Sequence, residues 1–212
     1  MDFASQGSQI AAGTGGGSEQ RAAPRFTLLI RAAKLVCETG EFVCVLRDVS
    51  ETGVSVRLFH ALPPVEQFEL HMPAGAVYPI SAVWQRGHEA GFRFAEPVAV
   101  DTLINEVARY PKRGLRLDLS FPVTVSTLTQ RCDAMVVNLS QQGALLECDG
   151  LFAIDQNLRI AGGNIAPEVK EVRAKVRWRR GTQYGVVFDD TFALGDFAKF
   201  AARLQAPDLL EP

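Results

Sequence analysis

Four cations and no acid lie between residues 20 and 37, in a chain whose formal net charge is −2. Two of them, Arg21 and Arg25, flank an Ala-Ala-Pro segment, and its proline stiffens the chain between them. Guanidinium groups bind phosphate oxygens through paired hydrogen bonds and stack on flat rings. The segment therefore predicts a local anion site, although an Arg-x-x-x-Arg spacing alone also occurs on ordinary basic surfaces.

A second group of polar residues follows at positions 48–53, which read Asp-Val-Ser-Glu-Thr-Gly. The Asp48 carboxylate can accept hydrogen bonds from the donor edge of a guanine, and the Ser50 hydroxyl can bind a phosphate or a base edge. Gly53 permits a positive φ, which would let the backbone turn tightly beside a ligand. The same residue types favour a plain hairpin turn for local reasons, so both interpretations stay open.

The chain contains one sequence unit twice, which is the strongest signal in it. The interval from arginine to Asp or Asn is 23 residues in the first copy and 22 in the second, and the interval from tryptophan to glycine is 7 in both. A period near ninety residues is too long for a solenoid and predicts tandem domains. The matching residues are Arg25 and Arg116, Asp48 and Asn138, Ser50 and Ser140, Gly53 and Gly143, Trp84 and Trp178, and Gly91 and Gly185.

Each copy has the short apolar runs and turn residues of an antiparallel sheet. In the first copy, Val54, Val56 and Leu58 alternate with polar residues, so this run predicts a strand with one buried face. The same alternation predicts that Trp84 shares the inward face of its strand with Ile80 and Ala82.

The corresponding strand of the second copy predicts a row of cations on its outer face. By alternation, Trp178 would lie inward with Val172, Ala174 and Val176. The cations on the opposite face would be Arg173, Lys175, Arg177 and Arg179. Such a row is typical of a solvated, charged edge. A docking surface for an acidic partner is the alternative.

A helix is predicted at the end of each copy. Asp101 would cap the first helix, and Asp190 or Thr191 would cap the second. The second helix has an apolar stripe that should seal a barrel mouth or the interface between the copies. The residues of that stripe are Leu194, Phe197, Ala201 and Leu204.

Composition limits the class of protein. Of 212 residues, 47% are hydrophobic and 22% are charged, so the chain can bury a core. Its 22 cations and 24 acids create no global field for DNA. The lack of a membrane span or a secretory signal predicts a cytoplasmic protein.

The chain divides into a disordered tail (1–18), a first domain (19–110), a second domain (111–206) and a short tail (207–212).

The cysteines and histidines suggest no catalytic or metal chemistry. Cys37, Cys44, Cys132 and Cys148 form no C-x-x-C pair, which predicts free, buried thiols rather than disulfides or zinc ligands. The three histidines share no metal-ligand spacing and lie in no nucleophile motif, so we expect surface or half-buried side chains. These are His60, His71 and His88. We expect neither an enzyme nor a cofactor or metal site.

The Arg-x-x-x-Arg segment followed by Asp-x-Ser-x-x-Gly resembles the PilZ domain family, over about residues 19 to 205 in two copies. The resemblance implies a mainly β fold with two tandem six-stranded antiparallel barrels, each followed by a C-terminal α-helix. It also implies binding of the bacterial second messenger cyclic di-GMP. By this resemblance, Arg21 and Arg25 hold phosphate and stack on guanine, while Asp48, Ser50 and Gly53 frame the base.

The second copy departs from that pattern in its basic loop. A lysine stands where the family has its first arginine, and an arginine follows one place out of register. Lysine keeps the charge but lacks the planar fork, so we expect weak or no ligand binding and a structural or partner-facing role. The candidate residues of this second site are Lys112, Arg113, Arg116, Asn138, Ser140 and Gly143.

The sequence thus predicts a cyclic di-GMP receptor whose first domain binds the messenger. Binding is expected to change the order of the loop and the contacts between the domains or with a protein partner of unknown identity. The alternative is a pair of barrels that binds no nucleotide and serves as an adaptor in motility or envelope machinery. A non-specific nucleic-acid binder is disfavoured by the net charge of −2.

Overall fold

The computed structural model describes residues 26–104, 114–163 and 171–210. The first part of the chain forms a closed barrel of six antiparallel strands, which we call barrel 1, in the order β1-β2-β3-β6-β5-β4. Its strands are β1 (Phe26–Cys37), β2 (Gly40–Ser50), β3 (Gly53–Arg57), β4 (Gln67–His71), β5 (Val77–Arg86) and β6 (Glu89–Phe94).

The second part of the chain repeats this architecture as barrel 2. Six strands close in the order β8-β9-β10-β13-β12-β11, and the short β7 pairs with the C-terminal end of β9. The predicted pair of six-stranded antiparallel barrels is confirmed. The strands are β7 (Arg116–Leu117), β8 (Phe121–Ser126), β9 (Arg131–Ser140), β10 (Gly143–Glu147), β11 (Asn157–Ala161), β12 (Val172–Arg180) and β13 (Gln183–Phe188).

Alternating side chains give each barrel its own apolar core. In β3, Val54 and Val56 are buried, Arg57 is exposed, and Leu58 just beyond the strand is buried again, as the alternation predicts. The corresponding residues of β10, Ala144 and Leu146, are buried in barrel 2.

A β-bulge in β5 interrupts this alternation and changes where the tryptophan points. Ala82 pairs with Phe92 inside the barrel, but the next pair is Trp84 with Gly91, so Val83 is the extra residue. An extra residue in one strand turns the following side chains to the opposite face. The prediction that Trp84 lies inward with Ala82 is therefore wrong, because Trp84 lies on the outer surface of barrel 1.

The same bulge recurs in β12 and divides the predicted row of cations. The register shifts between Val176 and Trp178, so Trp178 also lies outward, on the side of Lys175. The guanidinium of Arg179 lies 5.4 Å from the ring of the buried Tyr184. Both the inward position of Trp178 and the single face for the four cations are thus wrong predictions, for the same reason as in barrel 1.

Neither helix begins at its predicted cap, because the first begins one residue before Asp101 and the second begins after Asp190 and Thr191. Helix α1 (Val100–Ile104) includes Asp101 in its first turn, and helix α2 (Leu194–Gln205) follows Ala193, which makes no side-chain cap hydrogen bond. Phe192 explains the late start of α2. Its N–H donates to the Gln141 carbonyl at 3.0 Å and its carbonyl accepts from Gln141 Nε2 at 2.9 Å, which holds the connection to the β9–β10 turn. Neither Asp190 nor Thr191 caps the helix.

Helix α2 packs between the two barrels, one of the two positions that its apolar stripe predicts. Phe197 and Ala201 are buried in the core of barrel 2, whereas Ala202 belongs to the core of barrel 1. Leu194 and Leu204 are half-buried against barrel 2. The helix therefore joins the two cores instead of closing only one of them.

Residues 207–210, assigned to a tail by sequence, form a 3₁₀ helix against barrel 1. Its Leu209 carbonyl accepts from the Ala61 N–H at 2.9 Å. In the described ranges, no helix is both long and apolar enough to cross a membrane. The predicted tail at 1–18 lies outside the described residues.

Candidate functional site

Four residues from four neighbouring strands form a row across the outer face of barrel 1. Asp48 on β2 pairs with Ser55 on β3, Ser55 pairs with Gly91 on β6, and Gly91 pairs with Trp84 on β5. We call these residues the Asp48 row. It presents a carboxylate at one end and an indole at the other, and it lies in a groove of about 630 Å³, within the size range of small-molecule sites.

Trp84 lies directly over Gly91. A Cβ atom at Gly91 would come within 2.1 Å of the indole Nε1, so only glycine leaves room for the ring at this point. Trp84 remains 39% exposed and lines the groove. The bulge and the glycine together hold an aromatic ring against the sheet, where a flat ligand can reach it.

Two arginines add positive charge to the groove. Arg86 lies with its guanidinium carbon 5.9 Å from the centre of the Trp84 ring, and Arg93 pairs with Gly53 in the neighbouring strand. Both side chains are exposed and both line the groove. Guanidinium groups at these positions can form charge-assisted hydrogen bonds with an anionic ligand.

The carboxylate of Asp48 is positioned by Ser55. The Ser55 hydroxyl donates to Asp48 Oδ2 at 3.2 Å and accepts from the Asp48 N–H at 3.2 Å. These two contacts fix the end of β2 against β3. An ionised carboxylate has further lone pairs that can accept from a ligand.

Ser50 and Gly53 serve the hairpin turn between β2 and β3. Ser50 is buried, and its hydroxyl donates to the Gly53 carbonyl at 3.3 Å. Gly53 does not have a positive φ, so that expectation is wrong. The reason for glycine is a close approach between strands, because a Cβ atom would come within 2.7 Å of the Phe92 carbonyl oxygen.

The predicted phosphate-binding residues Arg21 and Arg25 lie outside the described residues, as do Lys112 and Arg113 of the second copy. The backbone register nevertheless shows where the chain enters barrel 1. Phe26, the residue after Arg25, pairs with Val49 on β2, between Asp48 and Ser50. The structure thus brings together Asp48, Ser50 and Gly53 at one end of the groove, and β1 begins beside them.

A family model described as the PilZ domain matches residues 19–110 and, a second time, residues 108–198. The chain belongs to the PilZ domain family. The two matches correspond to the two barrels of this PilZ protein. No curated protein sequence matches it.

Several solved structures resemble this PilZ protein at low sequence identity. Borreliella burgdorferi PlzA in complex with c-di-GMP is 10% identical with a TM-score of 0.33, covering 83% of this chain and 88% of that one. The Bacillus subtilis inhibitor of motility MotI/DgrA is 14% identical with a TM-score of 0.36, covering 84% and 97%. Escherichia coli YcgR in complex with c-di-GMP is 10% identical with a TM-score of 0.29, covering 80% of each chain.

The second PilZ domain has a row at the same place with different side chains. Asn138 pairs with Leu145, Leu145 pairs with Gly185, and Gly185 pairs with Trp178. Leu145 thus replaces the serine of the Asp48 row, and Val187 stands opposite Gly143 where barrel 1 has Arg93. The second row keeps the aromatic ring but loses a hydroxyl and a guanidinium.

The remaining candidates of the second copy support its turn and the start of its barrel. Arg116 donates to Asn138 Oδ1 at 3.1 Å. The Ser140 hydroxyl donates to the Gly143 carbonyl at 3.0 Å, as in the first copy. Gly143, like Gly53, lies close to a neighbouring carbonyl, that of Val186, and has no positive φ.

Sequence reasoning missed four residues that line the groove of the first PilZ domain. The recurring interval of seven residues between tryptophan and glycine was the available signal for Trp84, because it marks the same packing in both copies. No recurring interval marks Ser55, Arg86 and Arg93, because the pairing of the strands alone places them at the groove. The missed residues are Ser55, Trp84, Arg86 and Arg93.

In the described ranges, no group of His, Cys, Asp and Glu side chains could hold a metal ion. All four cysteines are free, but only Cys44 and Cys148 are buried, so burial is wrong for Cys37 and Cys132. Burial raises the pKa of the Cys44 thiol to about 12.

His60 is buried at 1% exposure, contrary to the expected half-buried or surface position.

Proposed function

We propose that this PilZ protein is a bacterial, cytoplasmic receptor for cyclic di-GMP that binds the messenger in the groove of barrel 1. The observation that carries the proposal is the Asp48 row, in which a carboxylate and an exposed indole lie at the two ends of one line across four strands. Two of the solved structures that resemble this chain at low identity, PlzA and YcgR, are complexes with c-di-GMP.

Each end of the row matches a different part of a guanine nucleotide. The Asp48 carboxylate can accept hydrogen bonds from the N–H groups on the edge of guanine. The Trp84 ring offers a face on which a base can stack, a contact worth about 1–3 kcal/mol. Arg86 and Arg93 line the same groove and can bind phosphate oxygens.

Arg21 and Arg25 complete the proposed site from the chain that precedes β1. Phe26 pairs with Val49 and Thr27 pairs with Asp48, so β1 begins at the end of the groove that holds Asp48 and Ser50. Consecutive Cα atoms are about 3.8 Å apart, and an arginine side chain is long enough to reach over that end of the groove. We propose that both guanidinium groups bind the phosphates and that one stacks on a guanine.

Ligand binding would be passed on through β2 and the chain before β1. β2 carries Asp48 at one end and Glu41 at the other, where Glu41 contacts helix α2 and the start of barrel 2. A ligand held by both Arg25 and Asp48 would couple the chain before β1 to β2. The proposed output is a change in the contacts between the barrels or with a protein partner.

The test is isothermal titration calorimetry of the full chain with cyclic di-GMP. We expect binding by the wild type and a roughly ten- to hundredfold loss of affinity in Arg25→Ala, because a charge-assisted hydrogen bond is worth about 1.5–3 kcal/mol. Asp48→Ala should weaken binding to a similar extent. Asn138→Ala is the matched control in barrel 2 and should leave the affinity unchanged.

Circular dichroism of each variant checks that both barrels remain folded. A folded wild type that releases no heat and shows no binding by a second method would refute the receptor function and favour the adaptor alternative. Unchanged affinity in Arg25→Ala would remove Arg25 from the site. A loss of binding in Asn138→Ala alone would move the site to barrel 2.

A further inference from the structure

The outer face of barrel 2 that corresponds to the groove has its own chemistry. We call it the Trp178 face and define it by Asn138, Leu145, Trp178 and Val187. Asn138, Leu145 and Trp178 lie in one row through Gly185, and Val187 follows two residues later along β13. The four side chains therefore form one continuous surface.

The centre of this face is apolar and accessible. Trp178 is 40% exposed and Val187 is 44% exposed, and Leu145 is half-buried beside them. A Cβ atom at Gly185 would come within 2.0 Å of Trp178 Nε1, so the indole is held flat against the sheet as in barrel 1. Tryptophan held rigidly on a surface is a common anchor of protein interfaces.

Positive charge surrounds the apolar centre. Lys175 pairs with Val187, and the guanidinium carbon of Arg180 lies 5.8 Å from the centre of the Trp178 ring. Of the five cations on β12, Arg177 pairs with Asp155 at 3.4 Å and Arg179 lies over Tyr184. Lys175 and Arg180 are the two that adjoin the face, against one acid on β10, Glu147. This excess contrasts with the slightly negative chain as a whole and gives the face a local positive potential.

The differences between the Trp178 face and the groove of barrel 1 argue against a nucleotide on this face. Leu145 and Val187 stand where barrel 1 has Ser55 and Arg93, so a hydroxyl and a guanidinium that could bind a polar ligand are replaced by hydrocarbon. The Asn138 amide oxygen already accepts a hydrogen bond from Arg116 at 3.1 Å. An apolar centre with a cationic rim instead has the arrangement of a protein interface.

We propose that the Trp178 face binds an acidic segment of a partner protein that carries aliphatic or aromatic side chains. Its apolar side chains would pack on Trp178 and Val187, and its carboxylates would pair with Lys175 and Arg180. The Trp178 face is separate from the proposed cyclic di-GMP site, because none of these residues lines that groove.

The test begins with a random peptide library displayed on phage and selected on the full chain, with counter-selection on the Lys175→Glu/Arg180→Glu double variant. We expect the selected peptides to be enriched in Asp and Glu together with Leu and Phe. One such peptide, labelled with fluorescein, is then titrated by fluorescence anisotropy. Trp178→Ala and Arg180→Glu should each weaken it by about tenfold or more.

The matched control variants are Trp84→Ala and Arg86→Glu, which make the same changes in barrel 1 and should leave peptide affinity unchanged. The barrel 2 variants should in turn keep the wild-type response to cyclic di-GMP and the wild-type circular dichroism. Peptides without an excess of acids, or a peptide affinity that Trp178→Ala does not lower, would overturn the proposal. So would a DNA duplex that displaces the peptide and loses affinity in Arg180→Glu.

Discussion

At the scale of single residues, Gly91 and Gly185 make the same contribution to the two barrels. Each lies beneath an indole ring, and each leaves a space that no other residue type leaves. The ring above Gly91 belongs to the proposed ligand groove, whereas the ring above Gly185 belongs to the Trp178 face. One substitution therefore has a different functional result in each barrel.

Gly91→Ala should weaken cyclic di-GMP binding by roughly five- to a hundredfold. The new Cβ atom would lie 2.1 Å from Trp84 Nε1, so the ring must leave its position, and a base–aromatic stack is worth about 1–3 kcal/mol. Calorimetry measures the affinity, and tryptophan fluorescence reports the displaced ring.

Gly185→Ala is the control for this prediction, since it displaces Trp178 by the same clash. It should change the fluorescence without changing the affinity for cyclic di-GMP. Equal affinity in Gly91→Ala and wild type would show that the Trp84 ring takes no part in binding.

At the scale of elements, the hairpin between β1 and β2 is joined to helix α2 by one glutamine. Gln205 Oε1 accepts from the Glu41 N–H at 2.8 Å, and Gln205 Nε2 donates to the Glu41 carbonyl at 2.8 Å. The Glu41 side chain accepts from Lys34 at 2.7 Å and from the Asp118 N–H at 2.7 Å. Glu41 of barrel 1 thus contacts both α2 and barrel 2.

Gln205→Ala should lower the free energy of unfolding by about 1–3 kcal/mol. It removes two partly buried hydrogen bonds to Glu41, each worth about 0.5–1.5 kcal/mol. Urea denaturation followed by circular dichroism measures the change. Gln142→Ala, at an exposed position, should be neutral, and an equal loss in both variants would count against the Glu41 contact.

At the scale of the whole molecule, His60 lies where barrel 1 meets the C-terminal part of the chain. Its Nδ1 bonds to the Ala61 carbonyl at 2.7 Å, and the Ala61 N–H donates to the Leu209 carbonyl. Its Nε2 is buried and has no hydrogen-bond partner in the described part of the chain. Desolvation by burial, with a smaller effect from His88, lowers the pKa of His60 below its ordinary value of 6.5.

The protein should therefore lose stability in mildly acidic solution. Below pH 6.5 the unfolded imidazole takes up a proton that the folded one resists, so the free energy of unfolding falls as the pH is lowered toward the folded pKa. His60→Phe should flatten this part of the pH profile, measured by urea denaturation between neutral and acidic pH. The exposed His88→Gln should keep most of the wild-type slope, because burial lowers the pKa of His60 more than His88 does. A His60→Phe profile parallel to wild type would refute the assignment.

Local sequence patterns were sufficient for the two antiparallel sheets and one end of the candidate site, whereas closure of the sheets into barrels came from the resemblance to the PilZ family. Alternation over β3 and the turn residues at 48–53 depend only on neighbours a few positions apart, which the sequence shows directly. Because the sequence unit occurs twice, both the alternation and the turn residues recur in the second copy. The same reasoning could not locate the helix starts, because α2 is delayed by the contacts between Phe192 and the distant Gln141.

The sequence by itself determined that there are two copies of one β unit and that only the first keeps the complete polar motif. Only the tertiary structure decided that Trp84 faces outward and joins Asp48 in one row. A bulge adds one residue to a strand, and the pattern of a single strand does not reveal which residue is unpaired. The pairing of β2, β3, β6 and β5 is a long-range choice of register, and it places residues nearly forty positions apart side by side.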